Sequence, residues 1–367
     1  MPLIEKESIG PLQHLFEHGD TSYWVAWNPS GSFWLLPRDR SYVSEVSRVF
    51  LPSGKQMQWR WFFWRLGGRP GESVQIQKAL FDDLAEQAGM SCPVYSVVYV
   101  GTPGAYRKAV IGLWNRQDNC RIVKLSLSAL ADQTIEDETV SLHRLEGSMQ
   151  GSIPKILTEG VWYGRPFIGI SPFGGARGKR ILSAEHFAWC RRLFLADQKK
   201  FTWEQSPFRL NLHTKYSILQ RYHRLAVPLA HVFKKADQFL HGRVFPFGWA
   251  HRDFTPWNTR MDGDQLLVFD WEMARPDYPP GYDLFHFVSI QAGLGIAFAR
   301  ESEKKLLPWL ESLAPEWTEF TRELYLLYLL DQAVFYMEAR VHAPEAGNEI
   351  FLDWLGNQIL RIGSSSE

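Results

Sequence analysis

One stretch in the C-terminal third limits what this chain can become. His251-Arg252-Asp253-Phe254-Thr255-Pro256-Trp257-Asn258 is followed by the apolar run Leu266-Leu267-Val268-Phe269, which ends in Asp270-Trp271-Glu272. Asn258 lies five positions after Asp253, and Asp270 twelve after Asn258. A four-residue apolar run bounded by polar residues reads as a short buried strand, which would hold Asp270 rigidly at its end. The chain therefore presents two carboxylates and a carboxamide from a loop and a strand end. A positioned carboxylate can take the proton of a reacting hydroxyl. A second carboxylate with an amide oxygen suits a hard cation that keeps phosphate and water as its other ligands. Phosphoryl transfer needs both, because it depends on positioning and charge neutralisation.

The surrounding pattern says where such a site would sit. At 367 residues the chain is long enough for two lobes and an extension. Tyr23–Trp27 and Phe33–Leu36 flank Asn28-Pro29-Ser30-Gly31 and predict a hairpin. Ser41–Leu51 predicts an amphipathic helix, and Glu72–Ala88 predicts another with Gly89 at its stop. Between them, Trp59-Arg60-Trp61-Phe62-Phe63-Trp64-Arg65 packs aromatic and basic residues together. That run predicts the core of a small N-terminal subdomain or its seam, with contact to a membrane surface or stacking on nucleobases as the functional alternatives. From Pro93 the pattern turns to strands: Tyr95–Val100, Lys108–Trp114 and Cys120–Leu125, then a helix over 134–145 and two further strands within 154–172. Helices are predicted over Ser183–Asp197 and His213–Leu240, and again from Glu301.

Taken together, the Asp-x4-Asn spacing and the strand ending in Asp-Trp-Glu resemble the aminoglycoside phosphotransferase and choline kinase group of the protein-kinase-like superfamily. The resemblance is carried by residues 95–290. It implies an α+β, protein-kinase-like two-lobe fold: residues 1–92 an N-terminal extension, 93–172 a small antiparallel lobe with one helix, and 173–367 a larger helical lobe. It implies ATP and Mg2+ as cofactors. Asp253 becomes the catalytic base with His251 beside it, Asn258 and Asp270 hold the metal, and Asp283 supports the catalytic loop from the helix start at Gly281-Tyr282-Asp283. Arg252 replaces the Gly or Asn frequent at that position in the small-molecule branch.

Further candidates follow in the strand-rich half. Lys124 ends an apolar strand and would meet phosphate. Glu138 is its favoured partner, since Glu138, Leu142 and Leu145 recur on one helix face, with Glu136 as fallback. Gly101 and Gly104 bracket a turn ahead of Lys124 that could admit phosphate. The resemblance further implies that Gly169, Ile170 and Ser171 line the nucleobase at the hinge. Trp309, Tyr325, Asp331, Tyr336 and Glu338 are aromatic and acidic residues that could line an acceptor cleft.

Composition removes other classes. Zero net charge gives no global field to recruit nucleic acid. Three scattered cysteines, Cys92, Cys120 and Cys190, fit a reducing compartment. No apolar leader or transmembrane run is read, so a cytoplasmic protein is expected. From His251 onward, 19 Asp and Glu stand against 9 Lys and Arg. The expected activity is phosphorylation of a hydroxyl on a small molecule, with a sugar, amino-sugar or polysaccharide precursor as acceptor. A nucleotide-binding pseudokinase scaffold and an aminoglycoside-resistance phosphotransferase are the alternatives. The short interval from Met273 to Tyr282 leaves no room for a protein-kinase activation segment.

Overall fold

The hydrophobic patterns sort into two units, each with a core of its own. A computed structural model describes residues 6–17, 19–50, 52, 55–117, 119–221, 225–293, 308–342 and 349–364. One unit comprises Met1–Arg144 and Ile153–Gly175, the other Leu145–Ser152 and Ala176–Glu367.

In the first unit, β-branched and aromatic residues build an eight-stranded antiparallel sheet. Its strands are β1 (Thr21–Trp27), β2 (Phe33–Pro37), β3 (Glu72–Ile76), β4 (Tyr95–Val100), β5 (Lys108–Asn115), β6 (Asn119–Ser126), β7 (Ile156–Trp162) and β8 (Arg165–Ile170). They lie in the order β3-β1-β2-β4-β5-β6-β8-β7. The sequence led us to expect five strands. The other three come from the extension, because β2 pairs with β4 through Phe33↔Val100 and Trp34↔Tyr99. Helices α1 (Val43–Val49), α2 (Lys55–Arg65), α3 (Ala79–Gln87) and α4 (Ala129–Leu145), with a 3-10 helix over Lys6–Phe16, complete the regular structure of the unit's described residues. Val25, Leu35, Phe81 and Leu84 from residues 1–92 share one core cluster with Val98, Ile111, Val123 and Phe167.

Two segments differ from the sequence reading. Residues 72–88 form β3 and then α3, because Glu72-Ser73-Val74-Gln75-Ile76 buries only Val74 and Ile76, a period of two that pairs with β1. The aromatic run forms α2, which buries Met57, Trp61 and Trp64 while leaving Trp59, Phe62 and Phe63 exposed.

The second unit is mainly helical: α5 (Ala184–Leu195), α6 (Pro207–Leu219), α7 (Ala226–Leu240), α8 (Tyr282–Gly293), α9 (Thr321–His342) and α10 (Glu349–Ser364). The single helix expected over 213–240 is thus divided between α6 and α7, and its residues 222–224 lie outside the described set, as do 301–307. Ser206 starts α6 by accepting the Arg209 N–H, with Pro207 in the first turn, where no amide is needed. Two three-stranded sheets interrupt the helices. They are ordered β10-β11-β14 and β13-β12-β9. Their strands are β9 (Ala176–Arg177), β10 (Lys199–Thr202), β11 (Val244–Ala250), β12 (Thr259–Asp262), β13 (Gln265–Val268) and β14 (Arg275–Tyr278). Trp317 stacks on Phe245 at 3.9 Å and anchors β11 to the helical core.

Because the first 90 residues close the edge of β4 and supply part of its core, a chain that starts at Ser91 is predicted not to fold. Expression of that truncation should give insoluble material without a cooperative thermal transition. A soluble monomer with a sharp transition would contradict this packing.

Candidate active site

Strand β11 delivers the chain into a tight turn at His251–Asp253. The turn needs Arg252 at φ 68°, in the left-handed region that an arginine enters only at a cost. Two groups hold it there. The Asp283 carboxylate accepts the N–H of His251 through Oδ2 at 2.9 Å and that of Arg252 through Oδ1 at 2.8 Å. The Arg252 guanidinium donates to Asp331 Oδ2 at 3.0 Å, and it lies 4.9 Å from the centre of the Tyr278 ring. Asp331 also accepts from the Tyr282 hydroxyl at 2.5 Å. Asp331 therefore belongs to the support of this loop, rather than to a cleft. Burial raises the Asp283 pKa above the ordinary carboxylate value, against the lowering effect of His251 and the two amides.

His251 sits beneath the loop. Its Nδ1 faces the Asp253 N–H at 3.3 Å and its Nε2 faces the Phe269 carbonyl at 3.2 Å. One nitrogen must accept and the other donate, which assigns the neutral ring with the proton on Nε2. Burial lowers its pKa in agreement. An aromatic bed carries the loop: Phe254 stacks on Trp189 at 5.0 Å, His251 meets Trp271 edge-on at 4.8 Å, and His186 meets Phe254 at 5.8 Å.

Asp253 is about one-third exposed. Its Oδ2 accepts the Asn258 side-chain N–H at 2.7 Å, and its backbone carbonyl accepts from the same nitrogen at 3.0 Å. These bonds turn the Asn258 oxygen away from Asp253. Asn258 O accepts the Phe269 N–H at 3.1 Å, so the loop is stitched to the residue before Asp270. Asp270 leaves β13 at φ 72° and ψ 64°, a conformation that Asp tolerates better than most residues. A carboxylate and an amide oxygen presented from one stitched segment fit a magnesium ion that also binds phosphate. Among the described residues no cluster of three or more His, Cys, Asp or Glu side chains offers a rival metal site.

The first unit holds the other candidates. Lys124 on β6 donates to both Glu138 oxygens, at 2.6 and 2.8 Å, and both residues are buried. Glu138 is thus the partner, and the fallback Glu136 is not. The glycine turn is less open than its sequence suggests. The Gly101 N–H bonds the Lys108 carbonyl at 3.0 Å, and its own carbonyl accepts from Arg107 Nε at 2.9 Å. Gly104 has φ 155° and nothing within 4 Å of a built Cβ. Just past β8, Ser171 gives its N–H to Lys155 O at 2.9 Å and takes the Lys155 N–H on its Oγ. Gly169 and Ile170 stand in β8, between β6 and β7. A Cβ on Gly169 would meet Thr158 at 2.4 Å, so its glycine is required by strand packing.

Sequence reasoning missed His286. It is buried on α8 with Nε2 3.4 Å from Asp253 Oδ1, within ion-pair range but off hydrogen-bond alignment. Its Nδ1 lies 3.3 Å from the Tyr328 hydroxyl. Burial first and the Asp253 charge second raise the Tyr336 hydroxyl pKa. Of the remaining acceptor candidates, Glu338 pairs with Lys215 at 2.6 Å and Trp309 donates to the Phe187 carbonyl at 3.0 Å. Tyr325 stacks on Tyr328.

A loop of this construction, with β14 filling the interval where a protein kinase would place an activation segment, defines a kinase-like phosphotransferase. Comparison with known proteins gives the family. The profile of the phosphotransferase enzyme family (APH) matches residues 116–316, and the chain belongs to that family. Members transfer phosphate to hydroxyl groups of small molecules. No curated protein matches the sequence. Solved structures share the fold at low identity. Aminoglycoside phosphotransferase APH(4)-Ia is 13% identical with a TM-score of 0.52, covering 79% of this chain and 99% of that one. Macrolide 2'-phosphotransferase type I is 14% identical with a TM-score of 0.51, covering 77% and 96%. The GDP and kanamycin complex of APH(2")-IIia is 14% identical with a TM-score of 0.52, covering 79% and 100%.

Two outcomes follow from this geometry. Asp331→Leu leaves Arg252 buried without its counter-charge and should lower the unfolding free energy by about 3–5 kcal/mol in urea titrations. Adding Arg252→Gly removes the stranded cation and suits the left-handed turn, so the double variant should recover much of the loss. Additive losses would disprove the coupling. Acid should also weaken this unit. His186, whose Nδ1 accepts the Ser183 N–H at 3.2 Å, has its pKa lowered to about 4 by burial, and that of His251 is lowered too. The unfolded chain then binds these protons more tightly than the fold, so stability falls as pH drops below about 6.5. His186→Gln should flatten the decline between pH 6.5 and 5. An unchanged slope would show that His186 does not contribute.

Proposed function

We propose that this phosphotransferase uses magnesium and ATP to phosphorylate a hydroxyl of a sugar, amino-sugar or polysaccharide precursor. The observation that carries the reading is the Asp253 carboxylate, held by Asn258 within a loop pinned at two amides by Asp283. The Lys124–Glu138 pair supports it, because a lysine fixed by a bidentate carboxylate presents a positioned cation for nucleotide phosphate.

In the proposed step the acceptor hydroxyl hydrogen-bonds to Asp253. Its oxygen forms a bond to the γ-phosphorus as the bond to the β–γ bridging oxygen breaks, and its proton passes to the Asp253 carboxylate. ADP leaves with the bridging oxygen. Asn258 and Asp270 hold the magnesium, whose contribution is to neutralise charge on the phosphates. Positioning by Asp253 is worth roughly 10²–10⁴ in rate. His286, beside Asp253, and Tyr336 add polar groups suited to a polyhydroxylated acceptor.

A second acceptor class, the aminoglycosides, is favoured by one observation: the excess of 19 acidic over 9 basic residues from His251 onward. Polycationic acceptors suit such a surface. ADP release measured against neutral sugars, amino-sugars and aminoglycosides separates the two readings.

Asp253→Ala should abolish turnover and leave nucleotide affinity nearly unchanged, since it removes the base and not a phosphate ligand. Full activity in that variant would overturn the assignment. Asp270→Ala should instead weaken nucleotide binding in magnesium and bring it to the level seen with EDTA. Equal affinity of variant and parent in calorimetry would exclude Asp270 as a metal ligand.

A further inference from the structure

Helix α2 is apolar on two sides. Its inner side packs: Trp61 lies 5.1 Å from both Trp34 and Trp64, and Trp64 Nε1 donates to the Pro37 carbonyl at 3.0 Å. Its outer side carries Trp59, Phe62, Phe63 and, just past its end, Leu66. These stand at i, i+3, i+4 and i+7, one helical stripe. They are 63%, 47%, 52% and 69% exposed. Trp59, Phe62 and Phe63 touch one another with ring centres 6.0–6.4 Å apart. A clustered aromatic stripe on a second face, left in water, marks a surface that meets something.

The charge around the stripe identifies the occupant. No Asp or Glu occurs between Glu45 and Glu72, whereas Arg48, Lys55, Arg60, Arg65 and Arg69 fall within that span. Arg48, Lys55, Arg65 and Arg69 are exposed. A second copy docked on this face would set the same basic residues against each other. Exposed Trp, Phe and Leu flanked by Lys and Arg are what shallow insertion into a lipid headgroup region requires, with indole at the polar–apolar boundary and cations against lipid phosphate.

We infer that the outer face of α2 docks this protein on the surface of a membrane rich in anionic phospholipid. The helix lies in the plane of the headgroups and does not cross. Among the described residues no helix is long and apolar enough to span a bilayer. This docking is independent of the acceptor assigned above.

Flotation of the full chain with phosphatidylcholine vesicles, with and without phosphatidylglycerol, tests the inference. The chain should float with the anionic vesicles, less at high salt, and hardly at all with phosphatidylcholine alone. Trp59→Ser/Phe62→Ser/Phe63→Ser should reduce partitioning about tenfold or more while the thermal midpoint is kept, since these side chains are already in water. Lys55→Glu/Arg65→Glu should remove the preference for anionic lipid. Failure of the parent to float at low salt, or equal flotation of the triple variant, overturns the inference. So does lipid-independent self-association that the triple variant abolishes, which assigns the face to a second copy. Absent flotation combined with capture of an acidic protein through these residues likewise overturns it in favour of a protein partner.

Discussion

Two hydrogen bonds organise the candidate site: those from the His251 and Arg252 amides to the single carboxylate of Asp283. They fix a left-handed turn at a residue that does not favour it, and every functional group downstream takes its position from that turn. Asp253 follows at once, Asn258 is tied back to Asp253, and Phe269 is tied to Asn258. An ionisable group buried for this purpose is costly, and the two backbone donors offset the cost. The same logic explains Arg252. Where a glycine or asparagine would enter the turn freely, this chain uses an arginine and recovers stability through Asp331 and the Tyr278 ring. The support of the loop thereby extends from α8 to α9.

The neutral His251 extends this logic. A protonated ring could not accept the Asp253 amide, so burial among Trp189, Trp271 and the loop backbone keeps the hydrogen-bond pattern intact. The apolar bed thus acts on protonation as well as on packing. Structural acid sensitivity in this unit is expected to come from its buried histidines, His186 and His251.

What was legible in the sequence is what local pattern encodes. The 251–258 segment, the strand before Asp270 and the helical phase of Glu138 all lie within short windows, and the structure shows the Lys124–Glu138 pair. The features that escaped depend on separation. His286 reaches Asp253 from 33 positions away and Asp331 reaches Arg252 from 79, and neither has a local signal. Of the three strands of the extension, β1 and β2 were legible as a hairpin, whereas β3, whose burial alternates, lies in a window that also fits a helix, and the pairing of β2 with β4 has no local signal. Gly101 is a candidate by residue type and Ser171 by the family resemblance alone, but their amides already serve the sheet and its connection. Backbone hydrogen-bond use is set by strand register, which one sequence does not display.

In the proposed site Asn258 and Asp270 would hold the metal that binds nucleotide phosphate, with Asp253 beside them as the base. The thermal unfolding midpoint with ATP, in magnesium and in EDTA, tests it directly. Nucleotide at ~100 times its dissociation constant stabilises by about 2.7 kcal/mol, which raises the midpoint by several degrees. That rise is expected in magnesium and is lost in EDTA. No shift at saturating nucleotide, or an equal shift without metal, would contradict it.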